Sequence, residues 1–374
     1  MTLLPVASAD ELGIAFDRLQ RAYDLLDQWT RSGEVPGGAI VVGRQGKMLA
    51  PRFFGRMGPE ADAAPIRDDA MFLMASITKP IVYLGAMLLV ERGLLNLTDP
   101  VTRYLPDFAA HHKEDTLVLH LFTHTSGLPD MLENNVELRR SHAPLEKYVE
   151  HAIRDTVPLF PAGTKLSYQS VGTLIVAELV QRLSGLTIAE FLQRELFAPL
   201  GLKSIALGSK GFDRERLVRV QTPEYQEPSF GWNSDYWQQL GAPWGGMFSA
   251  PADFAVLCQL MLGGGAVGDV RIFTPATIAA MTRNRLNEQP DLPEATRRAT
   301  PWGLGWRLNH PATDDSWGDL LGPRVFGHTG ATGTLVWMDP DTQVFCILLT
   351  SAIRATQPWR LVSLSNTVAA AMVQ

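Results

Sequence analysis

GTLVWMDPDTQVFCILLT, residues 333–350, reads as two strands folded on one turn. Its apolar runs, Leu335–Met338 and Val344–Leu349, flank Asp339-Pro340-Asp341, and aspartate and proline are turn formers. The same signature stands near the other end of the chain. GGAIVVGRQGKMLAPRFFG, residues 37–55, sets two apolar runs around Arg44-Gln45-Gly46-Lys47. Ahead of it, Leu12, Phe16, Leu19, Tyr23, Leu26 and Trp29 recur at helical spacing, which predicts an amphipathic helix over 10–32 stopped by Ser32-Gly33. Residues 357–373 read as a closing helix.

Between these ends the pattern is mostly helical: 79–93, 145–155, 169–184, 187–198, 252–263 and 275–283, separated by Pro/Gly-rich links. Strands at both ends around a helical middle predict a segregated α+β layout. One antiparallel sheet, flanked by the terminal helices, is built from residues 1–75 and 290–374. A mainly helical domain, 76–289, is inserted.

Composition narrows the function. With 46% hydrophobic and 19% charged residues over 374 positions, there is ample material for a core. A net charge of −6 with no basic run argues against a nucleic-acid partner. Cys258 and Cys346 both sit in apolar runs and read as buried free thiols, with one disulfide left open. The first residues carry no basic n-region before Asp10 and Glu11. The apolar stretch Ile81–Val90 is about half a membrane span. The expectation is a soluble, cytoplasmic protein with no membrane partner.

Three segments carry chemistry. MFLMASITKPIVYLGAMLLVERGLL contains Ser76-Ile77-Thr78-Lys79, the one S-x-x-K in a chain with 7 lysines against 26 arginines. On a helix this spacing puts hydroxyl and amine on one face. A serine hydroxyl needs a base to become a nucleophile, and a lysine of lowered pKa can be that base where arginine cannot. The second segment, PAGTKLSYQSVGTLIVAELVQRLSG, places Tyr168 where a loop enters a helix. A phenol there can relay a proton if a lysine cation lowers its pKa. In the third, Gly327-His328-Thr329-Gly330-Ala331 leads into a strand, and small residues leave room for a substrate against the strand edge. His120 and His124, four apart, would share a helix face, but no third ligand stands near. No metal and no organic cofactor is implied.

Taken together, Ser76-x-x-Lys79, Tyr168-x-Ser170 and His328-Thr329-Gly330 resemble the three active-site motifs of the serine beta-lactamase-like superfamily. That group includes class C beta-lactamases, D-alanyl-D-alanine carboxypeptidases, D-aminopeptidases and family VIII carboxylesterases. VERGLLNLTDPVTRYLP (90–106), LFTHTSGLPD (121–130), LFAPLGL (196–202), GGMFSAPADFA (245–255) and WGLGW (302–306) are similar as well. The resemblance implies a beta-lactamase/transpeptidase-like fold, with the active site in the cleft between the domain built from both termini and the inserted helical one. It implies Ser76 as acylated nucleophile, Lys79 as proton acceptor, Tyr168 as partner acid/base, and an oxyanion hole from the backbone N–H of Ser76 and Ala331. His328, Thr329, Gly330 and Ser170 would bind substrate.

Two departures stand out. The Tyr-x-Asn of class C enzymes is Tyr168-Gln169-Ser170, and the Lys-Thr-Gly of beta-lactamases is His328-Thr329-Gly330. Both weaken a beta-lactamase reading, and neither weakens acyl transfer through a serine ester. The expected function is hydrolysis of carboxylic esters of small molecules. The alternatives are a beta-lactamase or D-amino-acid peptidase, an acyltransferase, or a non-catalytic scaffold. Tyr225, Phe230, Trp232, Tyr236, Trp237 and Trp244 are candidates for an apolar acyl pocket or for ordinary core packing.

Overall fold

A computed structural model describes residues 4–222, 227–310, 317–356 and 358–373. Its main sheet has seven strands, all antiparallel. Gly37–Arg44 pairs along its whole length with Val344–Thr350, Val41 opposite Ile347, so the two ends of the chain meet in the centre of the sheet. Leu335–Asp339, Phe326–Thr329 and Arg307–Leu308 continue on one side, and Lys47–Met48 and Arg52–Gly55 lie on the other. The turn at Gln45-Gly46 has positive φ at both residues (50° and 82°), which suits the twist of a tight hairpin.

The central strands are near-continuous apolar runs because both faces are covered. Ala39, Val41, Phe345, Ile347 and Leu349 face one core, while Ile40, Val42, Val344, Cys346 and Leu348 face another. The second core is closed by the helices Phe16–Arg31 and Trp359–Ala369 through Leu19, Leu26, Leu364 and Val368. Pro251–Leu262, from the middle of the chain, joins the first core beside the sheet. That core runs on without a break into the helices Thr78–Glu91 and Val171–Ser184. Cys258 and Cys346 are free, buried thiols.

Two expectations need correction. The first helix begins at Phe16 rather than residue 10, because Gly13 adopts a left-handed φ of 65° and separates it from a short 3-10 turn at Asp10–Leu12. His120 and His124 do not share a helix face, because the helix Val118–Phe122 ends between them and His124 itself has φ 58°.

Candidate active site

Ser76 is delivered by a sharp turn. The strand Phe72–Leu73 leads into a 3-10 turn, Ala75–Ile77, which runs straight into the helix Thr78–Glu91. Ala75 is held at φ 47°, a strained conformation for a residue with a Cβ. The turn is tied down from two sides. Thr332 and Thr334 donate to the carbonyls of Leu73 (3.0 Å) and Met74 (3.2 Å), and Thr78 Oγ1 accepts from the Met247 amide at 3.1 Å. Gly330 fits against this turn because it lacks a side chain: a Cβ there would stand 2.6 Å from the Met74 carbonyl oxygen.

Lys79 Nζ lies 3.1 Å from Ser76 Oγ and 2.9 Å from the Trp244 carbonyl. The lysine is 1% exposed. Burial brings its pKa from 10.5 down to about 7, against the opposing pull of Asp130. The ammonium also sits 4.7 Å from the centre of the Tyr168 ring. A buried amine with so low a pKa is half neutral near pH 7 and can accept the Ser76 proton.

Tyr168 reaches the cleft from the loop before Val171–Ser184, as its sequence position suggests. Its pKa does not fall. Ser76 lowers it, but burial dominates and drives the phenol well above its ordinary value, so Tyr168 is neutral. Its hydroxyl is shielded from solvent and makes no hydrogen bond among the described residues. The ring is held by His124 at 4.6 Å, Trp302 at 6.2 Å and His328 at 6.1 Å. The two groups therefore divide by environment, one amine poised to take a proton and one phenol poised to give it.

The third motif lies on the strand Phe326–Thr329. Its pairing with Arg307–Leu308 stops at Gly327, which leaves that edge open at His328 and Thr329. His328 is buried, and burial with the nearby Lys79 lowers its pKa to about 3, so the imidazole is neutral. Its Nδ1 lies 2.7 Å from the Thr329 carbonyl. Thr329 Oγ1 accepts from Arg354 at 2.6 Å. The backbone N–H groups of Ser76 and Ala331 donate to no acceptor among the described residues. Ser170 donates to Asp130 at 2.7 Å, and Gln169 turns inward to Ser126 and the His120 carbonyl.

These groups share one cavity of about 730 Å³. Ser76, Lys79, Tyr168, Ser170, His328, Thr329, Gly330 and Ala331 all line it. Of the aromatic candidates, Trp232, Trp237 and Trp244 line it too. Tyr236 instead bonds Tyr148 and the Ala143 carbonyl, Phe230 is buried, and Tyr225 lies outside the described residues. Sequence reasoning missed Asp130, Arg139, Trp302, Arg307 and Arg354 as lining residues. Asp130 and Trp302 stand inside the quoted segments 121–130 and 302–306. The arginines carry no local signal. His120 and His124 serve structure instead of a metal: their Nδ1 atoms accept from the amides of Leu117 (3.1 Å) and Gln169 (3.2 Å).

A family model described as Beta-lactamase matches residues 19–373. The chain belongs to the beta-lactamase family. A relative from Salmonella schwarzengrund, provisionally named as a D-alanyl-D-alanine carboxypeptidase, is 26% identical over 93% of this chain and 85% of its own length. Among solved structures, a penicillin-binding protein homologue from Caulobacter crescentus superposes with a TM-score of 0.77 at 22% identity, covering 95% of this chain and 98% of its own. A family VIII carboxylesterase gives 0.71 at 19% identity, covering 93% and 96%. A D-amino acid amidase from Ochrobactrum anthropi gives 0.69 at 20%, covering 94% and 96%. The fold is the beta-lactamase/transpeptidase-like α+β fold, and this beta-lactamase-family chain is a serine hydrolase.

Proposed function

We propose that the protein hydrolyses carboxylic esters through an acyl enzyme on Ser76. The observation that carries this reading is the 3.1 Å approach of a buried amine of pKa about 7 to the serine oxygen. Neutral Lys79 takes the Ser76 proton as Oγ attacks the carbonyl carbon. The oxyanion forms between the N–H groups of Ser76 and Ala331. Tyr168 protonates the departing alkoxide, and Lys79, holding the serine's proton beneath the phenol ring, restores it. Water repeats the sequence on the acyl enzyme and releases the acid.

Esters fit this cleft better than beta-lactams. Ser170, engaged by Asp130, stands where class C enzymes carry an amide, and His328 is neutral where they carry a lysine. Three tryptophans, Trp232, Trp237 and Trp244, offer an apolar acyl pocket. The test pairs 4-nitrophenyl butyrate with nitrocefin, and adds intact mass after a fluorophosphonate probe. The wild type is expected to cleave the ester and gain one adduct, and Ser76→Ala to do neither while its thermal midpoint barely moves. Nitrocefin turnover without ester cleavage would overturn the substrate class. A wild type that gains no adduct would overturn the acyl enzyme.

A further inference from the structure

The helical wall of the cleft carries a charge that the reaction above leaves unused. Arg139 stands in the helix Asn135–Arg140 and lines the cleft with Trp237 and Trp244. Its guanidinium carbon lies 4.2 Å from the centre of the Trp237 ring. Its Nε and Nη2 are shielded from water and donate to nothing among the described residues. No carboxylate among the described residues pairs with it either; the groups that face it are the hydroxyls of Tyr148 and Tyr236. Those hydroxyls are 2.8 Å apart, and Tyr236 donates onward to the Ala143 carbonyl at 2.8 Å. Arg139 is half-buried, and shielding two of its guanidinium nitrogens without a partner carries a cost that stacking on an indole offsets only in part.

The distribution of charge points the same way. The chain carries a net −6. Its cleft is nonetheless lined by Arg139, Arg307 and Arg354 against Asp130 alone among the described acidic residues. A positive cleft in an acidic body draws anions inward. Arg307 is on a sheet strand, Arg354 in the 3-10 turn Arg354–Thr356 that follows the strand Val344–Thr350, and Arg139 on the helical wall. An aromatic track joins Arg139 to the chemistry. Lys79 bonds the Trp244 carbonyl, the Trp244 ring meets Trp237 at 6.2 Å, and Trp237 carries Arg139. Tyr168, the leaving-group acid, packs on Trp302 and His328, so the tryptophan track is left for the acyl group.

We infer that Arg139 receives a carboxylate at the distal end of the acyl chain, so that the preferred substrates are esters of dicarboxylic acids. This rests on the ester reading of the same cleft. The guanidinium fork matches a carboxylate and is held in place by the indole beneath it.

The test compares the mono-4-nitrophenyl ester of suberic acid with its ω-methyl ester, which has the same chain and no charge. In the wild type, kcat/KM for the carboxylate is expected to exceed that for the methyl ester at least about tenfold, the weight of one charge-assisted contact. Arg139→Met should bring the ratio near one, and Arg139→Lys should leave it between. Arg140→Met, which removes a charge from the exposed side of the same helix, should keep the wild-type ratio. Calorimetric titration with adipamate and adipamide reads the preference without turnover, so a failure of the ester chemistry does not hide it. Tighter binding of adipamate, lost in Arg139→Met, supports the inference. A wild-type ratio near one in either assay, or a full preference surviving in Arg139→Met, overturns it. Should Arg139→Met fail to fold, a wild-type ratio undiminished in Arg139→Lys overturns it as well.

Discussion

Replacing Lys79 with methionine should destroy activity and stabilise the fold at acidic pH. The lysine is buried, and its pKa falls from 10.5 to about 7. At about 1.4 kcal/mol per pKa unit, that depression means folding an ammonium into this site costs about 5 kcal/mol at pH below 7. Between pH 7 and 10.5 the unfolded chain binds the proton more strongly than the folded one. Wild-type stability therefore rises with pH through that window, and the cost is gone above it. Methionine has a similar length and no charge. It orphans the Trp244 carbonyl, which gives back about 1–3 kcal/mol at every pH. Lys79→Met should thus gain about 2–4 kcal/mol at pH 6, and its advantage over the wild type should shrink by about 3 kcal/mol by pH 9. Equilibrium urea unfolding of both proteins at the two pH values, followed by tryptophan fluorescence, measures the gap. A gap that stays constant or widens toward pH 9 would refute a depressed Lys79 pKa and, with it, the amine as resting base.

Four further outcomes follow from the same geometry. Wild-type kcat/KM on a neutral ester should rise with pH and level off above about 7, as Lys79 loses its proton, and Lys79→Arg should lose about a hundredfold or more despite keeping the charge; a pH profile flat from 5 to 9 would contradict this. Tyr168→Phe should cost an ethyl ester about a hundredfold and a 4-nitrophenyl ester much less, because nitrophenolate leaves without a proton; equal losses would remove Tyr168 from the leaving-group step. Gly330→Ala would place a Cβ 2.1 Å from Thr334 Oγ1 and should destabilise the protein by about 1–3 kcal/mol while reducing turnover, read by thermal unfolding and butyrate hydrolysis.

The two-ended sheet was legible because apolar runs and turn residues are local signals, visible at Gly37–Arg44 and Val344–Thr350 without any knowledge of their pairing. The short helices Val118–Phe122, Asn135–Arg140, Asp235–Leu240 and Glu294–Ala299 were not, since one or two turns leave too little periodicity to read. The position of Tyr168 was legible, but the direction of its pKa was not. The relay was read as conditional on a lysine cation lowering it, whereas burial raises both the phenol pKa and the cost of charging that lysine. Arg139 and Arg354 gave no warning, as each lies in an unremarkable stretch and acquires meaning only from the wall it lines.

Residue order alone settled which side chains were available: one serine three places ahead of a lysine, a phenol at a helix entrance, and a small-residue run before a strand. Tertiary structure decided what they are worth. Desolvation is a property of everything packed around an atom, so only the folded chain could bring an ordinary lysine's pKa down to about 7, lower that of His328, and set at the end of an aromatic track a guanidinium with no carboxylate partner among the described residues.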